Sequence, residues 1–286
     1  MTQESAVLVL LDLSAAFDTV DHSILLSRLE NWVGIKGTAL RWFQSYLTDR
    51  SFSVHLGDYS SETAPFTCGV PQGSVLGPIL FSLYMLPLAS IFERYDVSFH
   101  CFADDIQIYL PLNVKKKGPL QPRFDCMKDI KTWMNLNFLN LNGDKTEIIV
   151  FGHPELLDVD YLGPLTSNSR STVRSLGVVL DGAFKLDKQI SATVRSCFFQ
   201  LRTIAKVKAY LPPKDLERVI NALITSRLDY CNSLYVGLDK SLIQRLQLVQ
   251  NAAARLLTGK RKRDHITPVL RYLHLLPVHY RIDFKI

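Results

Sequence analysis

Residues 99–110 read FHCFADDIQIYL, and the pair Asp104–Asp105 sits between two apolar, β-prone runs. Adjacent carboxylates repel one another, and a tight turn needs only one Asp or Asn. One reading is a hairpin turn on the surface. The other is a cation site, because hard ions such as Mg²⁺ take carboxylate oxygens and cancel the repulsion between them. The second reading needs a third carboxylate on a neighbouring strand. The stretch AVLVLLDL (6–13) supplies one, as a continuous apolar run of the kind that fills a buried central strand, with Asp12 at its end. If the two segments pair, Asp12, Asp104 and Asp105 converge on one edge of a sheet. Two-metal phosphoryl transfer requires such a cluster: one ion activates the attacking hydroxyl and the other neutralises the leaving phosphate.

The surrounding sequence predicts the elements that would position these side chains. DHSILLSRLENW (21–32) reads as a helix with Asp21 or Ser23 near its start, and TALRWFQSYLTD (38–49) as another. SFSVHLG (51–57) and TAPFTCG (63–69) read as short strands. GVPQGSVLGP (69–78) is a Gly/Pro-rich turn feeding a helix over 78–92, and VSFHCF and IQIYL are the arms of a hairpin. A basic loop, NVKKKGP (113–119), precedes a helix at 125–137, a turn into a strand at 140–152, and a strand or hairpin at 172–181. From about residue 186 the texture becomes helical. Residues 188–210 place Ile190, Val194, Cys197, Leu201 and Ala205 on one face and Lys188, Arg195, Arg202 and Lys206 on another. Further helices are expected at 211–228 and 241–257. The fold class is therefore α+β, with two domains, 1–186 and 187–286.

Composition narrows the function. Hydrophobic residues make up 47% of 286, enough for a sizeable core and too many for a disordered chain. The five cysteines are odd in number, scattered and without a C-x-x-C pair, which argues against a zinc knuckle or disulfide framework and for a reducing compartment, nucleus or cytoplasm. VLGPILFSLYMLPLASIF (75–92) is barely long enough to cross a bilayer and is interrupted by Pro78 and Pro87, so it reads as a buried helix, with no membrane partner. No signal for an oligomer stands out. Residues 1–110 hold 5 Lys/Arg against 12 Asp/Glu, whereas residues 111–286 hold 28 against 15. An acidic front suits cation binding and a basic back suits a polyanion.

Five blocks, in order, resemble the reverse transcriptases of non-LTR (LINE-type) retrotransposons, particularly the jockey and chicken-repeat-like branches. LLDLSAAFDTVDH (10–22) is similar to that family's motif A, GVPQGSVLGPILFSLYM (69–85) to motif B and FADD (102–105) to motif C. NLNFLNLNGDKTEIIVFG (135–152) resembles motif D, and VRSLGVVLD (173–181) the primer-grip block. ITSRLDYCNSLYVGL (224–238) and residues 245–286 resemble the region downstream of the polymerase core.

The resemblance implies a right-hand palm followed by a helical, thumb-like region. It implies an RNA-directed DNA polymerase that extends a DNA primer on an RNA template with deoxynucleoside triphosphates and two Mg²⁺ ions, Mn²⁺ being a possible substitute. Asp12 and Asp104 become the principal metal ligands, with Asp105 adjacent. Leu13 offers backbone groups to the nucleotide phosphates. Phe17 matches the steric gate that crowds a ribose 2′-OH. Gln72 and Gly73 match the turn that approaches the nascent base pair. Lys145 matches the lysine that protonates departing pyrophosphate. Leu176, Gly177 and Val178 match the primer grip. Lys188, Arg195 and Arg202 suit sequence-independent phosphate contact on a thumb helix, and KKK (115–117) and KRKR (260–263) are further candidates.

The family's basic fingers lie upstream of motif A, and this sequence starts only a few residues before it. The expectation is a fragment lacking most of the fingers and the endonuclease, with weak polymerisation on its own. The alternative is a catalytically inactive, nucleic-acid-binding relic of such a polymerase. An unrelated metal-dependent phosphoesterase is disfavoured by the order of the motifs.

Overall fold

Strands β1 (Ser5–Leu11), β7 (Ser98–Phe102), β8 (Asp105–Leu112) and β10 (Glu147–Phe151) form a four-stranded antiparallel sheet of order β10-β1-β8-β7. The computed structural model describes residues 5–112, 121–152 and 167–286, so the basic loop expected at 113–119 lies outside the described residues. Both neighbours of β1 are paired along its length. Val7, Val9 and Leu11 face one core, while Leu8 and its partner Ile149 are buried on the opposite face. Burial on both faces is the reason the strand reads as a continuous apolar run rather than an alternating one.

Helices cover the Val7 face. α1 (His22–Asn31) contributes Leu25 and Leu29; its N-cap is Asp21, whose carboxylate accepts from the Ile24 amide at 2.9 Å. α2 (Gly37–Leu47) follows, then two small ribbons in which β3 (Ser51–Phe52) pairs with β6 (Ala64–Pro65) and β4 (His55–Leu56) with β5 (Tyr59–Ser60). The strands expected at 51–57 and 63–69 are thus shorter than expected, because these residues are largely exposed and have no core face to extend along. α3 (Gly77–Met85) starts with Pro78 in its first turn. A 3₁₀ turn at Leu86–Leu88, containing Pro87, separates it from α4 (Ala89–Arg94). The apolar stretch 75–92 is therefore a bent layer that buries one face, with Leu80, Phe81, Tyr84, Leu88 and Phe92 in the core and Val75 and Ile79 exposed, and no helix among the described residues is long and apolar enough to cross a membrane. α5 (Gln121–Leu136) adds Cys126, Ile130 and Met134 to the same core.

Between α1 and the sheet helices lies a buried polar knot. Arg28, only 6% exposed, donates to the Tyr84 carbonyl and to Asn137 Oδ1, and its guanidinium lies 4.3 Å from the Tyr84 ring centroid and 5.2 Å from that of Trp133. Tyr84 Oη donates to the Asn137 carbonyl at 2.8 Å. Burial draws the Arg28 guanidinium below its usual pKa, opposed by its contact with Tyr84.

β11 (Thr172–Ser175) and β12 (Val178–Asp181) form a hairpin, and the compact units divide within β11, between Val173 and Arg174. The sequence placed the division near residue 186. Two interactions draw β12 to the helical side. The Val179 amide donates to Gln189 Oε1 at 2.9 Å, and the Asp181 carboxylate accepts from the amides of Ala183, Lys185 and Leu186 at 3.2, 3.0 and 2.6 Å.

The second unit packs α6 (Asp187–Val207) and a long helix composed of α7 (Pro213–Ile220), a π-helical turn (Asn221–Thr225) and α8 (Ser226–Asp229) with α9 (Lys240–Thr258). α10 (Ile266–Tyr272) and α11 (Val278–Asp283) complete it. On α6 the buried stripe is Ile190, Cys197, Leu201 and Ile204, with Val194 partly buried. Ala205, expected on that stripe, is exposed, since Ile204 takes the core-facing turn.

Candidate active site

The hairpin of β7 and β8 closes through Ala103 and Asp104, with Phe102 opposite Asp105. Ala103 has φ +54°, whereas Asp104 does not enter the left-handed region. Leu11 faces Ile106, so continuing that register by one residue sets Asp12 opposite Asp105. The structure thus brings Asp12, Asp104 and Asp105 to one edge of the sheet. The Asp105 carboxyl is raised above its ordinary value by partial burial first, then by Asp104 and Asp12.

Asp12 is fixed from behind. Its carbonyl accepts from the Asn142 amide at 2.9 Å, and β2 (Leu13–Ser14) pairs with β9 (Asn140–Leu141). Leu13, expected to offer backbone to a phosphate, is part of that ladder and its side chain is buried. The turn after β9 brings Lys145 Nζ to 3.7 Å from Asp12 Oδ2. Asn142 shapes this turn by accepting from the Lys145 amide through Oδ1 and from the Thr146 amide through its carbonyl. Asp12 Oδ2 is shielded from solvent and has no hydrogen-bond partner. A carboxylate oxygen of this kind, with only an ammonium beyond hydrogen-bond reach, fits a hard cation. Among the described residues no three His, Cys, Asp or Glu side chains gather closely enough to hold an ion unaided. Mg²⁺ sites are ordinarily completed by substrate phosphates and water around one or two carboxylates.

The remaining predicted residues fall into four groups. Phe17 follows β2 in a turn, half-buried, its ring stacked on Phe81 with centroids 4.8 Å apart. Gln72 and Gly73 lie in the loop before α3, where Gly73 has φ +80° and Gln72 Nε2 donates to both oxygens of Asp18 at 3.0 and 3.2 Å. In the second unit Leu176 (φ +45°) and Gly177 (φ +81°) form the two-residue turn of the β11–β12 hairpin, pinned by Tyr230 Oη donating to the Leu176 carbonyl at 2.5 Å. Leu176 and Gly177 are exposed, whereas the Val178 side chain is buried and packs. Lys188, Arg195 and Arg202 are all exposed on α6, seven residues apart in a stripe.

Sequence reasoning gave no role to Asp18, His22 and Gly69, although all three stand in the quoted motifs. Gly69 joins the two motif loops. Its amide donates to Val20 O at 2.7 Å, the Val70 amide donates to Phe17 O at 2.8 Å, and His22 Nε2 donates to Gly69 O at 2.8 Å. A Cβ on Gly69 would lie 2.9 Å from the Asp18 carbonyl oxygen, on a backbone with φ +88°. Gly69→Ala should therefore cost about 2 kcal/mol or more and displace the turn carrying Phe17. Denaturant titration measures this; an unchanged midpoint would show that the two loops are not clamped there.

An antiparallel sheet carrying carboxylates at the tip of one hairpin and the end of the adjoining central strand, with helices on one face, is a polymerase palm. The chain belongs to the reverse transcriptase (RNA-dependent DNA polymerase) family, whose sequence model matches residues 1–180. It is 27% identical over 261 residues to the probable RNA-directed DNA polymerase from transposon BS of Drosophila melanogaster, covering 87% of this chain and 28% of that protein. To the RNA-directed DNA polymerase from mobile element jockey of the same species it is 24% identical over 274 residues, 90% of this chain and 29% of that protein. These relatives place it, within the family, among the LINE-type reverse transcriptases of non-LTR retrotransposons. The chain spans less than a third of the length of either relative. The structure of Candida albicans telomerase, solved in complex with a TWJ fragment of telomeric RNA, shares the fold with TM-score 0.52 at 10% identity, over 98% of this chain and 45% of that one.

Proposed function

We propose that this chain is an RNA-directed DNA polymerase domain that extends a DNA primer on an RNA template by nucleotidyl transfer. The observation that carries the reading is the meeting of Asp12 with the Asp104–Asp105 turn at one sheet edge, Asp12 Oδ2 lacking a hydrogen-bond partner. Asp12 and Asp104, with Asp105 beside them, would hold two Mg²⁺ ions, or Mn²⁺ in their place, which supply charge neutralisation and a more acidic primer hydroxyl. The primer 3′ oxygen bonds to the α-phosphorus of the incoming nucleotide as the bond to pyrophosphate breaks. Lys145, whose ammonium already neighbours Asp12, hands a proton to the departing pyrophosphate. Phe17 sets the width of the sugar site, and Gln72, its amide turned to Asp18, leaves Oε1 as the acceptor toward the base pair. Leu176 and Gly177 position the primer end, with Val178 packing behind them. The scattered cysteines support a reducing compartment, nucleus or cytoplasm.

Primer extension on an RNA template with Mg²⁺ tests the reading. Product that needs neither template nor divalent ion would overturn it. A second reading, a nucleic-acid-binding relic without activity, has one observation in its favour: among the described residues no three His, Cys, Asp or Glu side chains gather closely enough to hold an ion unaided. Binding without extension, in a chain whose Asp12 and Asp104 variants bind equally well, would select it.

Two further outcomes are expected. Phe17→Val should raise ribonucleotide incorporation on the order of tenfold or more relative to deoxynucleotide; an unchanged ratio would make Phe17 a packing partner of Phe81 only. Replacing Lys188, Arg195 and Arg202 by Gln should weaken duplex binding and lower the slope of log affinity against log salt by about one for each phosphate no longer neutralised. An unchanged slope would put the duplex elsewhere.

A further inference from the structure

In the helical unit a cleft of about 670 Å³ is lined by Pro213 and Lys214 at the start of α7, Leu257 at the end of α9, Lys260 just beyond it, and Val269 and Tyr272 of α10. Its chemistry is mixed in a particular way. Leu257, Val269 and the proline offer apolar surface. Tyr272 is 78% exposed, far more than a ring of that size would be if it served packing alone. Lys214 and Lys260 bring positive charge against one lining carboxylate, Glu217. Lys260 also opens the run Lys260–Arg263, in which all four cations are exposed. The run is held in place: the Arg261 amide donates to Asp264 Oδ2 at 2.7 Å, and Arg255 donates to the Asp264 carbonyl at 3.3 Å.

We propose that this cleft binds a single-stranded polynucleotide, with an unpaired base stacked on Tyr272 and neighbouring phosphates met by Lys214, Lys260 and the cations that follow. Charge complementarity selects a polyanion. The exposed ring selects a single strand, because the faces of paired bases are already buried in their own stack, whereas an unpaired base gains a partner. The inference does not depend on the polymerase reading, since binding is measurable whether or not the chain extends a primer.

The test is fluorescence anisotropy of the full chain with labelled oligo-rU, labelled oligo-dT and a duplex of the same length. Tyr272→Ala and Tyr272→Leu should weaken binding of the single strands roughly tenfold and leave duplex affinity unchanged, while Tyr272→Phe keeps full affinity. Lys214→Gln with Lys260→Gln should lower the single-strand salt slope by about one to two. Whichever of rU and dT binds more tightly identifies RNA or DNA as the natural occupant. Single-strand affinity that survives Tyr272→Leu, or an equal loss for duplex and single strand, would overturn the proposal. Because Tyr272→Phe and Tyr272→Leu both retain bulk, a difference between them reports the aromatic face and not the stability of α10.

Discussion

Asp104→Ala should reduce template-dependent primer extension by on the order of a thousandfold or more. The size follows from what a metal-holding carboxylate contributes, several kcal/mol of charge stabilisation in the transition state. Stability should move the other way. The Asp105 carboxyl is raised by burial, then by Asp104 and Asp12. A carboxyl raised on folding binds its proton more tightly in the native state, so stability declines as pH rises from the ordinary 3.8 through the raised value. Removing Asp104 takes away part of that cause, and the decline should flatten. Melting temperature followed from pH 4 upward, together with extension at neutral pH, separates the two effects. Extension undiminished in Asp104→Ala would end the assignment of this edge as the catalytic centre. Lost extension with a collapsed melting temperature would place Asp104 in folding instead. Asp104→Asn, which keeps the turn residue's size, distinguishes charge from shape.

Arg28→Ala should destabilise the first unit by about 3 to 5 kcal/mol. The guanidinium is buried and serves the Tyr84 carbonyl and Asn137 Oδ1, both of which its removal strands without a donor. It also lies over two aromatic rings, whose attraction adds to the loss. A fall of roughly 10 °C in melting temperature is the expected reading. The effects of Arg28→Met and Asn137→Ala should combine to less than their sum, because each breaks the same knot. Strict additivity, or a loss below about 1 kcal/mol, would mean the acceptors find water and the knot is not structural.

The edge that carries Asp12, Asp104 and Asp105 was readable in the sequence because its elements are local and strongly marked. A seven-residue apolar strand and a two-residue turn between apolar arms leave little choice of register, and register alone brings Asp12 to Asp105. The amphipathic α6 was readable for the same reason, its cations seven residues apart on a helix. What the sequence hid was pairing across long separations. Nothing local in RLENW announces that Arg28 will be buried against Asn137, or that Gly69 must lack a Cβ because the Asp18 carbonyl oxygen will lie within 2.9 Å of it. The compact units divide about a dozen residues before the position the sequence suggests, and the amides gathered by Asp181 belong to a loop without periodicity. α10 and α11 were missed because helices of seven and six residues are too short for a hydrophobic period to show.

The π-helical turn at Asn221–Thr225 has a consequence for how this helix tolerates changes of length. Leu216, Ile220, Ile224 and Leu228 are buried at a strict spacing of four, which an α-helix of 3.6 residues per turn would let drift by about 40° at each step. The wider turn absorbs that drift and keeps Leu228 over Leu216. One residue in the turn is therefore surplus to the phase of the helix. Deleting Ala222 should close the turn to ordinary α-helix and leave Leu228 buried, whereas deleting a residue from α7 itself, such as Arg218, should rotate Leu216 and Leu228 apart by about 100°. The helix thus carries one marked joint at which its chain can shorten without turning its apolar face to water.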